Sequence, residues 1–218
     1  MTDQHTGLEQ SLHSKRDPLD LAGLIGSRLC HDLVSPLGAI GNGLELLQMT
    51  GGGDGPELDL IRESYLNATA KLQFCRIAFG TGGERPVALA DMARLATDPR
   101  RGTRAAIRWA AEGDAPRAQV RLVFLLLLCA EAAVPAGGDL TVDRNEDGWA
   151  VCASAAAVRV EPTLWRCLQG GSPGGEIDGG RIQFALAPLA AQAAGFALKV
   201  EMEQDNLTVF AIPGADKT

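Results

Sequence analysis

Residues 29 to 47 decide the fold of this chain, and they read LCHDLVSPLGAIGNGLELL. Leucine and isoleucine recur in this stretch at intervals of three and four residues, and the same spacing extends back to Leu21. The pattern is typical of an α-helix with one apolar face. Asp17 and Pro18 suit the start of such a helix, because a capping side chain followed by proline favours the first turn. We therefore predict a helix from Pro18 to Met49.

A second amphipathic segment follows a glycine-rich turn between Thr50 and Pro56. Its apolar residues alternate by three and four positions, as in a heptad repeat. They are Leu58, Ile61, Tyr65, Ala68, Leu72, Cys75 and Phe79. Two long amphipathic helices on a short loop predict an antiparallel hairpin. Because one hairpin leaves part of its apolar surface unburied, two hairpins can pair as a four-helix bundle. We therefore expect a homodimer, and the alternative is a bundle closed by later helices of the same chain.

The second half of the chain, from Val87 onward, changes to short strands that alternate with helices. The predicted strands span residues 105–110, 148–151 and 207–212, and the predicted helices span 117–134 and 186–194. Pro188 falls within the last helix, and we place it in the first turn, where proline is tolerated.

These elements predict an α+β chain in three parts. Residues 1–17 are polar and are interpreted as a disordered tail, residues 18–82 as the helical hairpin, and residues 85–218 as a layer of helices on a mixed sheet. With 218 residues, of which 46% are hydrophobic, the chain is long enough for two small domains.

Composition limits the classes of partner. The net charge of -7 gives no basic field for nucleic acid, and the longest apolar run, 122–130, is well short of the roughly 20 residues that cross a bilayer. No apolar signal segment opens the chain. We expect a cytoplasmic protein with neither nucleic acid nor membrane as partner. The five cysteines form no Cys-x-x-Cys pair, so we expect each to be a small buried apolar residue.

His31 lies on the polar side of the first predicted helix. At about 100° per residue, the leucine face lies roughly opposite to it. Four other residues fall within about 40° of His31 and form a stripe on which another protein could lie; they are Ser35, Gly38, Asn42 and Glu45. Neutral imidazole is a good nucleophile, and Asp32 can accept a hydrogen bond from one ring nitrogen while the other stays free. Taken alone, an exposed histidine is usually only a solvated residue.

The motif His-Asp-Leu-x-Ser-Pro-Leu at residues 31 to 37 resembles the phosphorylated-histidine motif of sensor histidine kinases. The longer stretch from residue 30 to residue 45 is similar to the alphaproteobacterial histidine phosphotransferases. The resemblance covers most of the chain, and it implies a dimeric four-helix bundle followed by a domain like the ATP-binding α/β sandwich of the kinases.

The same resemblance implies an activity. His31 would take a phosphoryl group from the aspartate of one receiver domain and pass it to another, with Asp32 beside it and the stripe as the docking face. The donor would be the receiver of a hybrid kinase of the CckA type, and the acceptors would be response regulators of the CtrA and CpdR types. The receiver would bring the Mg²⁺.

Three elements of the kinase ATP site are missing from the second half. Leu125 and Cys129 stand where kinases carry two asparagines, and neither can coordinate a hard cation. Residues 154–158 read SAAAV in place of an Asp-x-Gly-x-Gly turn. The glycines at 170–175 and 179–180 lack the order of a phosphate loop, so we interpret them as flexible. We predict a degenerate domain that binds no ATP and holds no cofactor or metal.

Two alternatives remain open for the function. One is an ATP-dependent sensor histidine kinase core, and the other is a non-catalytic adaptor that binds receivers. A basic cluster could hold an acidic partner, but we interpret it as a solvated loop; it comprises Arg100, Arg101, Arg104 and Arg108.

Overall fold

The computed structural model describes residues 18–50, 55–171 and 177–214. It begins with two helices, α1 (Pro18–Thr50) and α2 (Pro56–Ala78), which pack along each other as an antiparallel hairpin. The predicted hairpin is therefore confirmed. The predicted tail, residues 1–17, and the centre of the turn, residues 51–54, lie outside the described residues.

Close packing of the two helices depends on a glycine. A Cβ added to Gly43 of α1 would lie 2.5 Å from Cγ1 of Ile61 and 3.3 Å from the carbonyl oxygen of Glu57, both on α2. Pro36 lies buried inside α1. The two helices thus approach through small or compact residues, while several larger apolar side chains stay exposed on the outside of the hairpin.

The rest of the chain forms an α/β layer. Its helices are α3 (Leu89–Thr97), α4 (Arg117–Ala133), α5 (Pro162–Leu168) and α6 (Gln183–Ala193), with short 3₁₀ helices at Pro99–Arg101 and Gly179–Arg181. Its strands are β1 (Pro86–Ala88), β2 (Ala105–Trp109), β3 (Asp114–Pro116), β4 (Gly138–Asn145), β5 (Gly148–Ser154), β6 (Phe196–Met202) and β7 (Asn206–Pro213).

Five strands form a mixed sheet in the order β2-β4-β5-β7-β6. β2 pairs with β4 in parallel, and the other neighbours pair antiparallel. β1 and β3 form a separate two-stranded antiparallel ribbon. The structure confirms the mixed sheet and the strands predicted at β2, β5 and β7, and it adds four strands that the sequence pattern did not indicate.

The core lies between the sheet and α4. Alternate residues of β4, β5 and β7 are fully buried, as are Leu125 and Cys129 on α4. The buried cluster also takes in Phe74, Ile77 and Ala78 near the end of α2. The hairpin is therefore joined to the α/β layer through a shared hydrophobic core. No helix in the described ranges is long and apolar enough to span a membrane.

Two predictions in the α/β layer are wrong. Pro188 is not in a first turn, because α6 already begins at Gln183, directly after the 3₁₀ helix Gly179–Arg181, and Pro188 sits in its interior. The buried side chains of Gln183 and Phe184 anchor this earlier start. Among the cysteines, Cys30 is exposed and Cys152 is half-buried, so the expectation that all five are buried also fails.

The solvated-loop interpretation is wrong for Arg101, which is buried. Its guanidinium lies 3.4 Å from the centre of the Phe74 ring. It donates hydrogen bonds to the carbonyl oxygen of Ala96 at 2.6 Å and to Oε1 of Glu131 at 2.7 Å. A buried charge is tolerated when it is paired and hydrogen-bonded, and these partners come from three different helices.

Candidate functional site

His31 projects from the surface of α1, and its side chain is 86% exposed. Gly43, where α1 approaches Ile61 of α2, lies on another face of the helix, about 120° from His31 at about 100° per residue. Nothing in the described part of the chain covers the imidazole. A second protein could therefore reach both ring edges of His31.

Asp32 contacts one nitrogen of that ring. Its Oδ1 lies 3.3 Å from Nδ1 of His31. An ionised carboxylate only accepts hydrogen bonds, so a neutral ring that donates to Asp32 carries its proton on Nδ1. The lone pair then belongs to Nε2. The structure thus brings together the two residues that the sequence singled out, with Nε2 as the available nucleophile.

Arg28 contacts Asp32 beside His31, and our sequence analysis missed it. Its Nε donates a 2.7 Å hydrogen bond to Oδ2 of Asp32, one turn further along α1. Its Nη1 donates a 2.6 Å hydrogen bond to the carbonyl oxygen of Gly180, in the α/β layer. The spacing of four residues between Arg28 and Asp32 on a helix could have indicated the ion pair. No local pattern could have indicated Gly180.

Behind the site, α2 contributes a buried thiol. Burial, helped by the charge of Asp32 and opposed by that of Arg28, raises the pKa of the Cys75 thiol to about 11. Cys75 is therefore protonated near neutral pH. A thiol in that state is a poor nucleophile, so Cys75 is part of the packing behind His31.

The four residues of the predicted docking stripe all lie exposed on α1; they are Ser35, Gly38, Asn42 and Glu45. Helical periodicity puts them on the same side of α1 as His31. A Cβ added to Gly38 would meet no atom within 4 Å. The stripe is thus an open surface of mostly small side chains.

The glycines at 179–180 are not a flexible loop, which corrects our interpretation. They open the 3₁₀ helix that packs against α1, and Gly179 is buried there. At Gly170 and Gly171 the chain closes the end of α5, with the amide of Gly171 donating to the carbonyl of Arg166 at 2.9 Å. The glycines at 174–175 lie outside the described residues.

The two positions that we compared with the magnesium-binding asparagines of kinases lie in the hydrophobic core. Leu125 and Cys129 are fully buried on α4, and burial raises the pKa of the Cys129 thiol. Within the described ranges, no three or more His, Cys, Asp or Glu side chains are grouped so as to hold a metal ion. β5 ends at Ser154, where the alanine-rich segment 154–158 begins.

Residues 89–206, which span most of the α/β layer, match the family model of the histidine phosphotransferase C-terminal domain. This chain belongs to the histidine phosphotransferase family. It is also 34% identical over 200 residues to the protein phosphotransferase ChpT of Brucella abortus (strain 2308), covering 88% of this chain and 95% of that protein. That alignment shows that the relationship extends beyond the α/β layer.

One solved structure agrees with this family assignment. A bacterial phosphotransferase is similar to 92% of this chain over its whole length, with 33% identity and a TM-score of 0.75. A histidine kinase domain from Erythrobacter litoralis EL346 is more distant, at 13% identity and a TM-score of 0.44, with 86% of this chain and 95% of that domain covered. As a histidine phosphotransferase, the chain is a component of phosphorelay signalling.

Proposed function

We propose that this phosphotransferase carries a phosphoryl group between the aspartates of two receiver domains by way of His31, without using ATP. The observation that carries the proposal is the exposed imidazole with Nδ1 against Asp32, in a chain of the histidine phosphotransferase family. The proposal goes beyond the family assignment in naming the acceptor atom, the partners and the source of the phosphoryl group.

The chemical step balances with the groups available. The lone pair of His31 Nε2 attacks phosphorus in the aspartyl phosphate of the donor, the P–N bond forms, and the P–O bond breaks to release the donor aspartate as a carboxylate. The ring then carries a positive charge, which the Asp32 carboxylate beside Nδ1 stabilises. Transfer to the acceptor aspartate reverses these bonds. Positioning and charge neutralisation supply most of the catalysis of phosphoryl transfer.

Both receivers would dock on the stripe of Ser35, Gly38, Asn42 and Glu45, each bringing its own Mg²⁺. A smooth surface next to an exposed nucleophile suits this use, because the receiver backbone must approach closely for in-line transfer. We propose partners of the classes that the resemblance implies: a CckA-like hybrid kinase as donor, and CtrA-like and CpdR-like regulators as acceptors.

We further propose that the protein acts as a homodimer in which two hairpins form a four-helix bundle. Both helices expose large apolar side chains on the outside of the hairpin, namely Val34, Leu37, Leu44, Leu58, Tyr65 and Leu72. Large apolar side chains exposed on both helices of one hairpin favour an interaction site there. The heptad spacing of the α2 residues suits pairing of helices.

The direct test uses a purified hybrid-kinase receiver loaded with a radiolabelled phosphoryl group. We expect label to move onto the wild type and onto the His13→Ala variant, which removes another histidine of the chain, but not onto His31→Ala. Incubation with labelled ATP alone should leave the protein unlabelled. Labelling of His31 from ATP would instead favour the kinase alternative, and binding of the receiver without transfer would favour the adaptor.

A further inference from the structure

We propose that Arg28 is a positioning residue for the transfer reaction, and that the 3₁₀ helix Gly179–Arg181 of the α/β layer holds it in place. This inference rests on the proposed function, because it concerns the same histidine. It assigns a role to the second half of the chain that does not involve nucleotide. The 3₁₀ helix would act on His31 through Arg28 and Asp32.

Arg28 makes two hydrogen bonds in different directions. Nε donates to Oδ2 of Asp32 at 2.7 Å, and Nη1 donates to the carbonyl oxygen of Gly180 at 2.6 Å. The guanidinium is rigid and planar, so two bonds made in different directions fix its orientation. The ion pair with Asp32 is largely shielded, with side chains 20% and 23% exposed.

Asp32 is shared between two donors. Because Arg28 occupies Oδ2, the other oxygen, Oδ1, stays directed at Nδ1 of His31. The hydrogen bond at one imidazole nitrogen decides which nitrogen carries the proton. A fixed carboxylate therefore keeps the proton on Nδ1 and the lone pair on Nε2. A carboxylate free to rotate would let the two tautomers mix.

The 3₁₀ helix Gly179–Arg181 also approaches α1 closely. A Cβ added to Gly179 would lie 3.0 Å from the carbonyl oxygen of Leu24 and 3.2 Å from the backbone nitrogen of Arg28. A side chain at Gly179 would therefore require the 3₁₀ helix and α1 to move apart by a few tenths of an ångström. At Gly180 a Cβ would approach only Oδ1 of Asp178, at 3.1 Å. The two contacts differ in kind, because the added Cβ at Gly179 would meet the backbone of α1, whereas at Gly180 it would meet a side chain that can rotate away.

The experiment measures the tautomer of His31 by nitrogen NMR at about pH 8.5, where free imidazole is neutral, and the rate of phosphoryl transfer from a loaded receiver. We expect the Nδ1–H form in the wild type. Arg28→Gln should give a mixture of tautomers and slow the transfer by about tenfold or more. Arg28→Lys should recover part of the rate, because it keeps a charge for Asp32 but cannot make both bonds. Arg94→Gln, which breaks an exposed Arg–Asp pair on α3, is the matched control and should change neither the tautomer of His31 nor the rate of transfer.

A second pair of variants tests the contribution of the α/β layer. Gly179→Ala should shift the tautomer and slow the transfer as Arg28→Gln does, whereas Gly23→Ala, where an added Cβ on α1 meets no atom within 4 Å, should resemble the wild type. Gly179→Ala and its control still test the inference if Arg28→Gln fails to fold. Wild-type tautomers and rates in both Arg28→Gln and Gly179→Ala would overturn the inference. A wild type that accepts no phosphoryl group would contradict the proposed function, while the tautomer measurement would still decide the role of Arg28.

Discussion

Among single residues, Arg101 gives a sharp test of how the two halves are joined. Its guanidinium stacks over Phe74 of the hairpin and donates to Ala96 and Glu131 in the α/β layer. We expect Arg101→Met to lower the free energy of unfolding by about 3 kcal/mol, because the Glu131 carboxylate loses its cation while the apolar contact with Phe74 is kept. Urea unfolding measures the change.

The control for that prediction is Arg94→Met on α3. Arg94 pairs with Asp91, but both side chains are exposed, at 77% and 60%. Exposed ion pairs contribute little, so we expect a change within about 0.5 kcal/mol. Equal losses in the two variants would mean that burial of Arg101 adds nothing to stability.

The residues of the site differ in how far the sequence could reveal them. The motif and the helical spacing placed His31 on an open face, and the structure agrees. Asp32 could be inferred as its neighbour. The role of Arg28 depends on Gly180, which is 152 positions away, and the burial of Arg101 depends on three helices. Such contacts exist only in the folded chain, so no local pattern of charges predicts them.

Among the helices, the contact between α1 and α2 depends on Gly43. Gly43→Ala would put a Cβ 2.5 Å from Cγ1 of Ile61, so the helices must separate or the isoleucine must shift. We expect a loss of about 1 kcal/mol or more in the free energy of unfolding, since overpacking is destabilising. Gly38→Ala, in open space on the same helix, should gain about 0.5 to 1 kcal/mol. Thermal and urea unfolding would compare the two, and stabilisation by both would contradict the close contact.

Prediction of elements succeeded where apolar periodicity was long. α1, α2 and α4 have sustained patterns, and each was predicted to within a few residues. β4 and β6 were missed although apolar and polar residues alternate along them as in a half-buried strand, a signal that our sequence analysis did not use. The early start of α6 was missed because packing of Phe184 overrides the local effect of Pro188.

For the whole molecule, the proposed dimer predicts that one substitution in the bundle lowers the molecular mass in solution from that of a dimer to that of a monomer. We expect Leu44→Glu, at a side chain that is 49% exposed on the hairpin, to convert a dimer into a monomer, because it puts charge into the seam of the bundle. Leu189→Glu, at a leucine that is 51% exposed on α6, should leave the dimer intact. Light scattering after size exclusion measures both. A wild-type monomer would contradict the dimer.

The architecture itself followed from the sequence, but the connection between its parts did not. A hairpin followed by an α/β layer was predicted and is observed. The boundary between residues 82 and 85 stays a prediction, since the end of α2 belongs to the same buried cluster as α4. What the structure adds is that this layer also contacts α1 one turn from His31, through Gly179 and Gly180.

The central claim is that His31 relays a phosphoryl group between receivers, and a two-receiver assay tests it most directly. A donor receiver loaded with radiolabelled phosphoryl is mixed with an unlabelled acceptor receiver and this protein, in Mg²⁺ and without ATP. We predict label on the acceptor with the wild type, none with His31→Ala, and none when the donor's phosphorylated aspartate is replaced. Equal labelling of the acceptor with wild type and His31→Ala would contradict the account.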